Sequence, residues 1–337
     1  MHKLTLGLLV FIPITLIAEY LHYSPLIIFF LAALAIIPLA KYIGEATEEL
    51  AGHTGPALGG LLNATFGNAT ELLIGIFALR AGLVEVVKAS ITGSIIGNLL
   101  LVSGMAMLVG GWKHKKQIFN RTGALASGST LLLAAIALVM PAIFLQTSPD
   151  AGGMVIEKLS IFVAIAMLVI YLLSLFFVLR THKHLYTEEV ARYAPNWSKT
   201  KSIIILLIAT IAVAWMSEVL VGAIEPVAES FGWTELFIGV IFVAVIGNAA
   251  EHTSAITMAI KNRMDLALQI SIGSATQIAM LIAPLLVLIS LFFSTPMSLV
   301  FNLFELIAIV LSIFITNLVV GDGESNWLEG AQLLVAY

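Results

Sequence analysis

"FGNATELLIGI" (Phe66–Ile76) and "IGNAAEHTSAI" (Ile246–Ile256) are one phrase written twice, 180 residues apart. The same offset carries "TGSIIGN" (92–98) onto "IGSATQI" (272–278) without a gap. Gly67, Asn68, Ala69, Glu71, Gly93 and Ser94 thereby meet identical residues at Gly247, Asn248, Ala249, Glu251, Gly273 and Ser274. Chance likeness between two apolar segments would share Leu and Ile rather than Gly, Asn, Glu and Ser. Upstream, "ATEEL" (46–50) resembles "MSEVL" (216–220). The chain reads as two related halves.

The composition says what solvent those halves meet. Of 337 residues, 60% are hydrophobic and 11% charged, with a mean hydropathy of +1.06. A soluble chain is about 45–50% apolar and about 25% charged, so this is a polytopic membrane protein whose main partner is lipid. A net charge of −4 gives no reason to expect nucleic acid. The absence of cysteine excludes disulfides, thiolate metal sites and cysteine nucleophiles. Lys3 and the apolar run Leu4–Ala18 imitate a signal peptide. No small-residue cleavage site follows, and "EYLHYS" leads into a second apolar run, so the segment reads as a retained helix.

At roughly 20 apolar residues per span, helices are expected near 4–21, 26–50, 57–80, 86–110, 122–145, 157–180, 203–225, 235–260, 266–292 and 297–317. "NWLEGAQLLVAY" is too short to span and reads as an incomplete eleventh. The expected fold class is therefore an all-α polytopic membrane protein of about eleven helices. Its parts are an extra N-terminal helix (1–22), a first five-helix repeat (26–181), a cytoplasmic linker (182–202) and a second repeat (203–337). Basic residues orient it. "KHKKQIFNR" (113–121) and the segment 180–201 are the densest basic loops, which places both in the cytoplasm. Alternating sides then leaves only Arg80, Lys88 and Lys158 outside, with the N-terminus cytoplasmic. The third helix runs outward and the eighth inward, so the two copies are inverted. Inverted repeats are the architecture of secondary transporters, with the site near the midplane. A multi-pass protein of the plasma (cell) membrane, compatible with a homo-oligomer, is expected.

Glu71 and Glu251 fall near the centres of their helices, where a charge costs about 2.5–3.5 kcal/mol on insertion scales. Such residues face a bundle interior or a water-filled path. Asn68 lies three residues before Glu71, and Asn248 three before Glu251, hence on one helical face each. Ser94 and Asn98 share a face, as do Ser274 and Gln277; the only imidazole nearby is His252, which either relays protons or makes a structural hydrogen bond. The set is rich in oxygen and free of sulfur, which suits a hard cation such as calcium with its six to eight oxygen ligands. Gly67 and Gly247 let the backbone leave the helix and offer carbonyls. Two carboxylates in a low-dielectric site repel one another; protons relieve that repulsion, and so does a divalent cation. Cation and protons then compete for the same two groups. No resident cofactor is called for; Ca²⁺ and H⁺ are the cargo.

A second acidic set lies nearer the surfaces. Glu45, Glu48 and Glu49 end the second helix, and Glu218, Glu225 and Glu229 recur along one face of the seventh. They read as cation-attracting vestibules or as solvated helix ends, with Glu48 and Glu218 favoured because the repeat pairs them. Glu19 and Glu305 are isolated intramembrane carboxylates, and "GDGESN" (321–326) reads as a solvated loop.

"GNATELLIGIFAL" (67–79) and "GNAAEHTSAI" (247–256), followed by "GSIIGN" (93–98) and "GSATQIAM" (273–280), resemble the two repeats of the calcium/cation–proton exchangers of the calcium/cation antiporter superfamily. The resemblance spans nearly the whole chain. It implies that Glu71 and Glu251 bind cation and protons, with the Gly67 and Gly247 carbonyls, Asn68 and Asn248 beside them. It also implies that Gln277 lies near the site. The second and seventh helices would then slide as a gating pair, which makes Glu48 and Glu218 functional. A sodium–calcium exchanger is the nearest alternative; its relatives place more acidic and serine ligands around sodium. A channel would conduct without countertransport. An intramembrane enzyme lacks support: the sequence has no HExxH motif.

Overall fold

The computed structural model describes residues 2–148, 150, 152–181 and 195–337. Helices α1 (His2–Leu8), α2 (Phe11–Tyr20), α3 (Pro25–Thr54), α4 (Pro56–Phe66) and α5 (Ala69–Arg80) come first. The long α6 (Val84–His114), α7 (Arg121–Thr147) and α8 (Gly153–Thr181) follow. After them come α9 (Lys199–Gly222), α10 (Ile224–Phe231), α11 (Glu235–Gly247), α12 (Ala249–Ile260) and α13 (Met264–Ser290). α14 (Leu303–Val319) and α15 (Trp327–Ala336) close the chain.

Local chemistry sets many of these boundaries. Pro25, with its preset φ, opens α3, and Gly55 at φ 82 ends it. Side-chain caps at Asn120 and Ser198 start α7 and α9. Reciprocal capping boxes, Asn302 with Glu305 and Asn326 with Glu329, start α14 and α15. Among the described residues seven helices are long and apolar enough to cross a membrane, and α11 with α12 makes an eighth as a bent pair.

Several expected elements come out differently. The helix at 4–21 is two pieces parted at Leu9–Val10, and that at 57–80 is α4 plus α5. The helix expected from 297 begins only at Leu303, because Asn302 supplies the cap. The helix at 203–225 has a one-residue break at Ala223, so Glu225 and Glu229 lie on α10, while α9 and α10 run on as one span, Lys199–Phe231. "KHKKQIFNR" and "GDGESN" are not free loops: Gln117–Ile118 (β1) pairs antiparallel with Glu324–Ser325 (β2), Gln117 opposite Ser325. Ser325 is buried there, so the solvated-loop reading fails. Residues 182–194 of the expected linker lie outside the described residues.

Packing divides the chain into two compact units, Met1–Ser90 with Leu175–Ala250, and Ile91–Ser174 with Glu251–Tyr337. Each takes helices from both halves of the sequence. In the first, α3 and α9 pack along their lengths, and Phe29, Phe30, Phe242 and Trp233 form a ring cluster, with Trp233 stacked on Phe242 at 5.2 Å. The end of the linker is bound to the end of α3: Trp197 N donates to Glu49 at 2.9 Å, and His53 Nε2 donates to Trp197 O at 2.7 Å. In the second unit, α15 lies directly on α6, where a Cβ on Gly330 would fall 2.6 Å from Gly104 O. Small residues permit that approach, as in other membrane helix pairs.

Candidate functional site

Both copies of the repeated motif interrupt their helices at the asparagine. Asn68 sits at φ −109, ψ 27 between α4 and α5, and Asn248 at φ −91, ψ 11 between α11 and α12, where the chain bends by 61°. A helix break leaves end-of-helix carbonyls and start-of-helix amides in need of other partners. In a membrane that is tolerated where such backbone lines a cavity or is buried in protein. The glycines act otherwise than the sequence suggests. Gly67 stays helical at φ −56, so its conformational freedom is not what opens the break. What both glycines supply is space: a Cβ at Gly67 would sit 2.5 Å from Asn63 O, and one at Gly247 3.1 Å from Glu71 Cγ.

That second contact is the central observation in the first unit. The carboxylate of one repeat lies against the motif glycine of the other, with Oε1 3.3 Å from where a Cβ would stand. Glu71 is in the first turn of α5, behind buried Asn68 and Thr70. Asn248, fully buried, donates from Nδ2 to Ala244 O at 2.9 Å, which fixes its amide with the NH₂ toward its own helix. The unit thus gathers Asn68, Glu71, Gly247 and Asn248, two from each half of the sequence.

The second unit holds the rest. Glu251 is in the first turn of α12, and its Oε2 is buried with no hydrogen-bonding partner among the described residues; the same holds for His252 Nε2. Asn98 lies in a π-helical turn, Gly97–Val102, and α13 carries a matching turn at Ile278–Ile282, close to the 180-residue offset. Such turns often sit at functional sites. Asn98 Nδ2 donates to Ser274 Oγ at 3.1 Å, joining the two repeats' polar positions. Beneath them Ser103 and Ser271 bond at 2.9 Å. The repeat comparison could not find this last pair, since residues 283 and 91 at the matching offset are Ala and Ile. Ser94 is buried, and Gln277 is half-buried at the last α-helical position before the π turn.

The outer carboxylates fare unequally. Glu45 pairs with Lys41 at 3.7 Å, Glu48, the favoured one, is exposed, and Glu49 is the buried one that holds Trp197. Glu218 is exposed, faces Arg80 at 3.3 Å and shares a pocket with Glu19. Glu225 is exposed on α10. Glu305, isolated in sequence, caps α14 and accepts from Thr92 Oγ1 at 3.2 Å. Among the described residues no three His, Asp or Glu side chains cluster closely enough to hold a metal ion. A cation bound here would depend on amide, hydroxyl and backbone oxygens beside the carboxylates.

The sequence matches the family model described as sodium/calcium exchanger protein over residues 24–180 and 201–337. The Ca(2+)/H(+) antiporter of Aphanothece halophytica is 48% identical over 347 residues, covering 98% of this chain and 93% of the relative. The Ca(2+)/H(+) antiporter ChaA of Bacillus subtilis (strain 168) is 48% identical over 334 residues, with 97% and 94% covered. The solved structure of native YfkE superposes with a TM-score of 0.87 at 45% identity, over 99% of this chain and 97% of that one.

Proposed function

Because the chain belongs to the sodium/calcium exchanger protein family, we propose that it exchanges calcium for protons by alternating access at a mid-membrane site built on Glu71 and Glu251. The observation that carries the reading is Glu71 lying on Gly247, half of one motif against the other. Relatives at 48% identity over nearly the full length are named for calcium–proton antiport, which supports the choice of ions. Glu71 and Glu251 take the cation or the protons; Asn68, Asn248 and the Gly67 and Gly247 carbonyls complete the oxygen shell. Ser94, Asn98, Ser274, Gln277 and His252 line it. With both carboxylates ionised, their charge neutralises a divalent cation; with both protonated, the site crosses empty of metal. Only loaded forms are cheap to move through a low-dielectric barrier, and that couples the fluxes.

The domain boundaries (1–22, 26–181, 182–202, 203–337), residence in the plasma membrane and a cytoplasmic N-terminus belong to the same reading, the last supported by the basic residues of the loops. Glu48 and Glu218 act as approach points for the cation on opposite faces. The deciding measurement is calcium uptake into proteoliposomes under an imposed pH gradient, with Glu71→Gln and Glu251→Gln beside wild type. Uptake driven by the pH gradient and lost in both variants is the expected result; near-normal exchange in either variant would refute the site. Uptake driven by a sodium gradient instead would favour the sodium–calcium alternative.

A further inference from the structure

We propose that Gln117 is a positioning residue for Glu251, acting through the C-terminal end of α12. This rests on the two-glutamate reading above. α12 has twelve residues, so it is a rod of about 18 Å with Glu251 in its first turn. Its other end is gripped from the last turn of α6 and the strand after it. Gln117 Nε2 donates at 2.9 Å both to Ala259 O and to Asn262 Oδ1. His114 Nε2 donates to Ile260 O at 2.9 Å, and Lys113 Nζ to the same oxygen at 3.3 Å. The last carbonyls of a helix lack regular intrahelical donors, and here side chains from the end of α6 and from β1 add to the backbone cap.

The orientation of Gln117 is forced. Ala259 O can only accept, so the amide must present Nε2 to it and turn Oε1 away. Oε1 is then buried with no partner among the described residues, aimed at Gly110, where any Cβ would collide with it. A buried acceptor left unsatisfied costs about 1–3 kcal/mol, which an apolar side chain at 117 would avoid. The grip itself is braced: Gln117 lies in β1 opposite Ser325, and Lys116 pairs with Glu324 at 2.6 Å.

Comparison of the two repeats isolates what the grip adds. α5 and α12 end in the same motif. Gly82 N bonds Leu79 O at 3.0 Å and Leu83 N bonds Ala78 O at 2.9 Å; Asn262 N bonds Ala259 O at 3.0 Å and Arg263 N bonds Met258 O at 2.9 Å. The cap residue is Gly82 at φ 82 in one and Asn262 at φ 61 in the other. Glycine adopts that conformation freely; asparagine does so less readily. The second repeat keeps the side chain, and Gln117 binds it. Fixing α12 lengthwise fixes the height of Glu251, and a displacement of about 1 Å is enough to spoil a site.

Gln117→Glu preserves size but puts an oxygen against Ala259 O and Asn262 Oδ1. In proteoliposomes, initial rates of calcium uptake against calcium concentration should show KM raised about tenfold, the worth of one hydrogen bond to a buried carbonyl, with the maximal rate per reconstituted protein within about twofold. Asn262→Gly, which removes one of the two acceptors and relaxes the backbone, should raise KM by a smaller factor, about threefold; it serves if Gln117→Glu does not reconstitute. An unchanged KM with only the maximal rate or the folded yield reduced would show Gln117 to be structural and overturn the proposal. If Glu251→Gln transports normally the site reading fails; if it is inactive while Gln117→Glu keeps a normal KM, the positioning role alone fails.

Discussion

At Gly247 the side chain that matters is the one it lacks. A methyl group there would stand 3.1 Å from Glu71 Cγ, so Gly247→Ala must shift that side chain by a few tenths of an ångström. The expected outcome is calcium uptake reduced about threefold, a fraction of the loss for a fully misplaced binding group, with thermal stability little changed because the contact is with a side chain. Gly67→Ala meets a backbone carbonyl 2.5 Å away instead and should lower the unfolding temperature as well. Measured side by side, the two variants separate a positional role from a backbone one. The repeat exposes both glycines in the sequence, but their reason was legible only as backbone freedom. For Gly247 the actual reason is proximity to a side chain 176 residues distant, and spacing along a chain carries no such information.

Among the elements, α14 offers the clearest stability test. Glu305 is buried, caps the helix through Asn302 N at 3.0 Å, and receives Thr92 Oγ1. Glu305→Ala removes the return half of the capping box and strands both donors, Asn302 N and Thr92 Oγ1, which should cost about 1–3 kcal/mol. A lower melting midpoint in detergent with an unchanged calcium KM is expected; a shift in KM would move Glu305 into the site. In sequence this residue is an unexplained carboxylate, though the spacing Asn302-x-x-Glu305 is a capping-box pattern that reading could have used. Glu49 teaches the converse. It reads as a vestibule carboxylate or a solvated helix end, yet it is buried under Trp197 and Asn196. Only folding brings residues 147 or more positions away onto that helix end. The broken helices at Asn68 and Asn248 likewise read as continuous, since an apolar run reports length and not bends.

For the whole molecule, competition between calcium and protons has a definite sign. On the proposed two-glutamate site, acid on the side from which calcium binds puts protons where the cation's ligands must be, so KM for calcium is expected to rise as pH falls. On that side the slope of log KM against pH approaches minus two when both carboxylates titrate, and a flat profile would exclude their sharing of ions and protons. The architecture behind this was legible because membranes restrict the choices. Hydropathy gives spans, basic loops give orientation, and a duplicated Gly-Asn-Ala-x-Glu gives an inverted pair. Those properties are written in composition and periodicity, so the sequence alone determined a two-repeat membrane exchanger and singled out the pair of glutamates on which the proposed site is built. The tertiary structure alone decided the closeness of Glu71 to Gly247, the burial of Glu49 and Glu305, the pairing of Asn98 with Ser274, and the grip of Gln117 on α12. Each of these joins residues more than 100 positions apart, and contacts at that range exist only once the chain has packed.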